Sequence, residues 1–183
     1  MRNTVYILIA SVFLMVIACQ KQDSNFLVSE TSIGQFNKEV IFADVEALVG
    51  EGFVEKDTFQ LKEGENPKKI KVFEKGGKHL LTLTASNDSI PKIENINIID
   101  ARYTTGEGLN LKSTFKDIQD AYEIKKIVTT LNSVVIFPKS SNLYFTIDKS
   151  ELPANLRFTS SNIEAVQIPD DARIKYLMLG WTH

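Results

Sequence analysis

One cysteine, two histidines and one tryptophan are all that this 183-residue chain holds of three residue types that commonly carry chemistry or staple a fold. A lone thiol, Cys19, excludes a disulfide within the chain. That thiol with His79 and His183 is too small a donor set for a zinc centre built from His and Cys. No serine stands in a Gly-x-Ser-x-Gly elbow, so a Ser-His-Asp or Cys-His nucleophile system is unsupported. The glycine-bearing pieces EKGGKH and TTGEGLN lack the strand-to-helix spacing that cradles phosphates. Asp170-Asp171 lacks the run of oxygen ligands that a calcium loop requires. Neither sign of charge is in excess: 21 Lys and Arg stand against 23 Asp and Glu, a net charge of −2 that gives no support to a nucleic-acid partner. Asp44 and Asp117 recur at equivalent places, but both fall in the first turn of an expected helix, where the helix dipole favours an acid without any catalytic duty. The chain is therefore read as non-enzymatic, with no catalytic residue, cofactor or metal.

What is present begins at the N-terminus. Arg2 precedes an apolar run over residues 5–18, interrupted only by Tyr6 and Ser11. This is the pattern of a secretory signal, and it is short of the roughly 20 apolar residues that span a bilayer. The string Val16-Ile17-Ala18-Cys19 resembles the lipobox of bacterial lipoproteins, with an aliphatic residue three places before the cysteine and a small one immediately before it. That resemblance implies cleavage after Ala18, a diacylglycerol thioether on Cys19 and, usually, a palmitate-like acyl chain on the new amine. One chain alone holds a protein only marginally, whereas two or three make release negligible. The expected parts are a signal peptide at 1–18, a lipidated Cys19 with a polar tether over 19–32, and one globular domain over 33–183. Lys21 followed by Asp23 resembles the charged export tags of Bacteroidota lipoproteins. The expected address is the bacterial cell envelope, anchored by lipid in the outer membrane and facing the periplasm or the surface.

Two strings recur. IENINIID (93–100) resembles IEAVQIPD (163–170), and FADVEALV (42–49) aligns with FKDIQDAY (115–122) at nearly the same spacing. Two matches in the same order point to a duplication, with halves at about 33–103 and 104–183. Within the first half, Ile41, Val45, Leu48 and Val49 share one helical face over residues 40–49, and Gly50 and Gly52 stop it. Within the second, Phe115, Ile118, Ala121 and Tyr122 do the same, and Thr114 with Asp117 forms a capping-box-like start. IKVFEKGGKHLLTLT predicts a hairpin about Gly76-Gly77, and VVIFPKSSNLYFTID a second with a longer turn at 138–142. Residues 93–100 and 163–168 predict one further strand per half, and 173–181 a last one. Residues 124–131 fit either a helix, by spacing, or a strand, by the Thr129-Thr130 pair.

The expected fold class is α+β: two related helix-plus-antiparallel-meander units sharing a curved sheet and one core, since one helix over three strands buries too little alone. IGQFNKEVIFADVEALVG (33–50) resembles the opening of the duplicated β-lactamase-inhibitor-protein-like module, and of small lipoproteins of the outer-membrane barrel-assembly machinery. The second half departs from it, with Glu123 where glycine is expected. Thr105-Gly106-Glu107-Gly108-Leu109 is similar to a Thr-x-x-Gly-Leu stretch of uncharacterised lipoproteins. These resemblances imply a fold and no activity.

Aromatic residues are the remaining candidates. Tyr103, Tyr144, Tyr176 and Trp181 lie on or near expected strands, and aromatics displayed on an open sheet face mark a contact surface. The leading expectation is a scaffold or interaction module that binds an envelope protein through one sheet face. The alternative is a binding protein for a small glycan or lipid fragment held between the halves, which needs an apolar cleft with converging polar groups.

Overall fold

The structure, a computed structural model, describes residues 24–58 and 67–182. The expected signal peptide, the lipidated Cys19, residues 20–23 and His183 lie outside the described residues. In chain order the elements are β1 (Leu27–Val28), β2 (Ser32–Ile33), β3 (Phe36–Asn37), a one-turn helix α1 (Val45–Leu48), β4 (Phe53–Lys56), β5 (Lys69–Phe73), β6 (His79–Ala85), β7 (Ile93–Ile98), β8 (Thr104–Thr105), α2 (Phe115–Ala121), β9 (Ile124–Thr129), β10 (Ser133–Pro138), β11 (Leu143–Asp148) and β12 (Ile174–Gly180).

Alternating apolar residues write the large sheet. Ile70 and Val72, Leu81 and Leu83, Ile96 and Ile98, Val134 and Ile136, Phe145 and Ile147, and Leu177 and Leu179 all point one way and are buried. Eight strands pair antiparallel in the order β4-β5-β6-β7-β12-β11-β10-β9. The chain crosses one half in sequence, leaves through β8 and α2, and fills the other half from the far edge inward. β7 and β12 therefore meet at the centre, with Ile98 opposite Leu177 and Asn95 opposite Gly180. A smaller sheet, β3-β2-β1-β8, joins Val28, Ile33 and Phe36 to the same buried cluster as Phe115 and Ile118 of α2.

This is a predominantly β architecture, and it corrects the α+β expectation of two helix-plus-meander units. The helix expected over 40–49 is a 3-10 turn at Phe42–Asp44 and a single α turn, of which only Phe42 and Val45 are buried. Ile41 and Leu48 stand 39% and 41% exposed, so the helical spacing did not translate into a buried face. Gly50, at φ +66°, turns the chain away before a second turn can form. Residues 163–168 are not a strand either. They form a 3-10 turn at Ala165–Gln167 closed by reciprocal bonds between Glu164 and Gln167, with Val166 90% exposed. Its counterpart by sequence, Ile96, is fully buried in β7, and the strand beside β7 is β12.

The expected tether is folded from Ser24 onward. β1 lies between β2 and β8, Val28 is buried, and the Glu30 carboxylate accepts from Ser141 Oγ and the Asn142 amide, each at 2.6 Å. Elsewhere the local chemistry matches its elements. Gly77 takes φ +80° between β5 and β6, residues 124–129 are strand, and Thr114 and Asp117 cap α2 reciprocally. Asp44 makes no capping bond.

Lys149 follows β11 and is buried, and its Nζ donates to the Leu131 carbonyl at 3.2 Å and the Thr159 carbonyl at 2.6 Å. These bonds join the β9–β10 turn to the long loop before β12. Lys149→Met is expected to cost about 2 kcal/mol in urea unfolding, because two charge-assisted bonds vanish and two carbonyls lose their donor. The same variant should be cut faster by protease near 157–161.

Candidate interaction surface

Period-2 alternation that buries one side of the large sheet sends the intervening residues to the other. Register pairs arrange them in rows across the strands. Glu55 is opposite Lys71, Lys71 opposite Thr82, Thr82 opposite Asn97, Asn97 opposite Met178 and Met178 opposite Tyr144. Phe137 stacks on Tyr144 at 5.6 Å between ring centroids, and Lys126 Nζ sits 4.6 Å over the Phe137 ring. A second row lies nearer the Asp148 end of the sheet. There Phe53 stacks on Phe73 at 4.9 Å, and Tyr176, Thr146, Val135 and Val128 follow one another across β12, β11, β10 and β9.

This second row is largely apolar and reaches both edges of the sheet. Phe53 is 49% exposed, Tyr176 41%, Val128 39% and Ile99, which continues β7 on the same side, 36%. Thr146, between Tyr176 and Val135 in this row, is buried. In the middle of the face, Asn97 Oδ1 is shielded from solvent and accepts no hydrogen bond among the described residues. A buried orphan acceptor is a cost to the fold.

The four aromatics expected at a contact surface divide two and two. Tyr144 and Tyr176 lie on this open face on neighbouring strands, Tyr144 half-buried with its hydroxyl bonded to Asn95 Nδ2, and Tyr176 exposed beneath Lys175 Nζ at 5.4 Å. Tyr103 and Trp181 are instead buried core. Tyr103 packs edge-on to Phe26 at 5.1 Å, and burial pushes its hydroxyl pKa up, with Asp100 adding to the shift. Trp181 Nε1 donates to the Glu30 carbonyl at 2.9 Å. Phe53, Phe73, Phe137, Ile99, Val128 and Asn97 belong to the face and were not singled out by sequence. The alternation of β5 and β10 was the available signal, but it shows only that two faces differ and not which of them is left uncovered.

Two other places bear on chemistry. A shallow cleft of about 700 Å³ lies between the 105–109 turn and α2, lined by Glu107, Leu109, Asp117 and Asp120 among others. Its acids are engaged: Glu107 accepts from the Tyr122 hydroxyl, which lowers its carboxyl pKa, Asp117 caps α2, and Asp120 pairs with Lys116. Asp-Ala-Arg occurs twice, at 100–102 and 171–173, and the two copies differ in burial. Asp100 is covered and paired with Arg102 and Lys78, each at 2.7 Å, while Asp171 and Arg173 are exposed. Among the described residues no group of three or more His, Cys, Asp or Glu gathers as metal ligands, and no helix is long and apolar enough to cross a membrane.

No family model and no curated protein matches the chain. Among solved structures it is similar to the uncharacterized protein yfeY from Escherichia coli, with a TM-score of 0.53 and 11% identity over 84% of this chain and 99% of that one. At that identity the likeness shows a shared fold and carries no function with it.

Proposed function

We propose that this protein is a lipid-anchored, non-enzymatic interaction module of the bacterial cell envelope, which holds a protein partner on the open face of its large sheet. The observation that carries this reading is the row from Phe53 to Val128, a mostly apolar band broken by His79 in β6 and Thr146 in β11, in which Phe53, Ile99, Tyr176 and Val128 are each more than a third exposed. A folded chain gains by covering such a band, and a partner's apolar side chains supply the cover. The lipobox resemblance at Val16-Ile17-Ala18-Cys19 supports the anchor on Cys19 and the envelope address.

The test is a photo-crosslinking residue at position 176 or 128 in the full chain, expressed in its own envelope. One discrete adduct is expected from both positions. Tyr176→Asp with Val128→Asp should weaken capture of that same partner about tenfold or more, by placing unpaired charge in the contact. Both residues are exposed, so the thermal midpoint should hold. Equal capture by the double variant would refute the face as the contact.

A further inference from the structure

Phe158, Val166 and Leu131 are the most exposed large apolar side chains among the described residues, at 96%, 90% and 87%. They gather at one end of the large sheet. Leu131 forms the β9–β10 turn, and Lys149 Nζ ties its carbonyl to that of Thr159, the neighbour of Phe158. The Ile163 amide donates to Thr129 Oγ1 at 2.8 Å, and buried Ile163 and Ile168 pin the loop on either side of Val166. The three side chains are thus held outward by bonds beneath them. Leu131 comes from the β9–β10 turn, and Phe158 and Val166 from the long loop before β12.

Register places the N-terminal exit at the same end. Ile98 is opposite Leu177, Ile174 opposite Ile147, and Asp148 opposite Ser133, so the corner after β7 and the β9–β10 turn share one end of the sheet. At that corner Phe26 packs on Tyr103 with the Arg102 guanidinium 4.3 Å above its ring. Only residues 20–23 separate Cys19 from Ser24. Five such steps reach at most about 18 Å even when fully extended.

We propose that this end of the domain rests on the bilayer, with Leu131, Phe158 and Val166 entering the lipid interface as a second contact beside the anchor. The inference rests on the lipid-anchor reading of Cys19. A short link keeps these side chains at high effective concentration at the membrane, so weak partition of each suffices. A fluid interface accepts separate apolar knobs with no matched shape, which is why lipid fits this tip better than a protein pocket. The apolar row on the open face lies near this end too, so a partner held there would sit close to the membrane.

The test uses the full lipidated protein in vesicles of phosphatidylethanolamine and phosphatidylglycerol with acyl-chain bromines as quencher. The native Trp181 is buried and gives a constant background. Phe158→Trp should lose about half of its added emission to the bromines. Ile90→Trp, an exposed apolar site in the β6–β7 turn at the opposite end, should lose none. Protein that floats with vesicles and carries acyl chains by mass spectrometry, yet shows no quenching at position 158, overturns this inference alone and leaves the tip to a protein partner. Protein that neither floats nor carries acyl chains overturns the anchor and this inference together.

Discussion

Phe145→Ala is expected to cost about 4 kcal/mol of folding free energy and to lower the thermal midpoint by about 10 °C, while Phe158→Ala should change stability by no more than about 0.5 kcal/mol. The two residues are chemically identical and differ only in surroundings. Phe145 has no exposed surface and stands in β11 between Ile136 of β10 and Leu177 of β12, both fully buried as well. Its ring lies 6.2 Å from that of Tyr122, which follows α2 and helps close the layer over the sheet. Truncation there leaves a cavity that strands bonded on both sides cannot collapse into. Phe158 is 96% exposed, so its loss removes almost no contact. Urea unfolding of both variants gives the comparison directly. Equal midpoints for the two would mean that Phe145 is not packed in the buried layer of the sheet.

The second large effect is expected at the Asp100 cluster. Asp100 is buried and accepts from the Arg102 amide at 2.9 Å, from Arg102 Nε at 3.1 Å and Nη2 at 2.7 Å, and from Lys78 Nζ at 2.7 Å. Arg102 also pairs with Glu74 at 2.7 Å. Arg102→Ala leaves a buried carboxylate with one lysine, and should cost about 3 kcal/mol at pH 7. The acid limb of stability gives an independent readout. Burial by itself raises the Asp100 carboxyl pKa, but hydrogen bonds from Arg102 and Lys78 outweigh it and hold it well below the usual carboxylate range. Asp148 is lowered to about 2 by the Lys175 ammonium and by the Ser150 amide. A lowered pKa means that the folded state binds its proton less readily than the unfolded one. Such a group stabilises fully above an unfolded pKa of about 4, and that stability drains away as pH falls through 4 toward 2 and below. Arg102→Ala lets the Asp100 carboxyl pKa rise, so its unfolding should begin at a higher pH than in wild type. Asp100→Asn should flatten part of the slope while leaving the Asp148 share in place. An acid limb identical in all three proteins would show that Asp100 titrates as it does in the unfolded chain.

Several elements were legible in the residues alone because their cause is local. Gly76-Gly77 marks the β5–β6 hairpin, since the turn needs the positive φ that Gly77 adopts, and Thr114 with Asp117 sets the start of α2 through bonds spanning three residues. Where a pattern needed a distant partner, it misled. Ile41, Val45, Leu48 and Val49 describe a helical stripe, yet the chain fully buries only Phe42 and Val45, packs Val49 partly against the core and leaves Ile41 and Leu48 exposed on a turn. IEAVQIPD repeats the letters of IENINIID, but Pro169 and the Glu164–Gln167 closure make it a turn, and β12 takes the central place beside β7.

The aromatics show the same limit. Tyr103 and Trp181 look no different in sequence from Tyr144 and Tyr176, and yet the first two are covered by Phe26 and the Glu30 segment while the others face outward. By itself the sequence determined the alternating strands, their tight turns, the capped α2 and the absence of a disulfide within the chain, all of which follow from neighbours a few residues apart or from composition. The tertiary structure decided that β7 and β12 meet, that Val28, Ile33 and Phe36 join the core on one face of the large sheet, and that Phe53, Ile99, Tyr176 and Val128 on the opposite face remain more than a third exposed. Alternation makes both faces of a strand distinct, but only packing between segments far apart in the chain chooses which one is withdrawn from water.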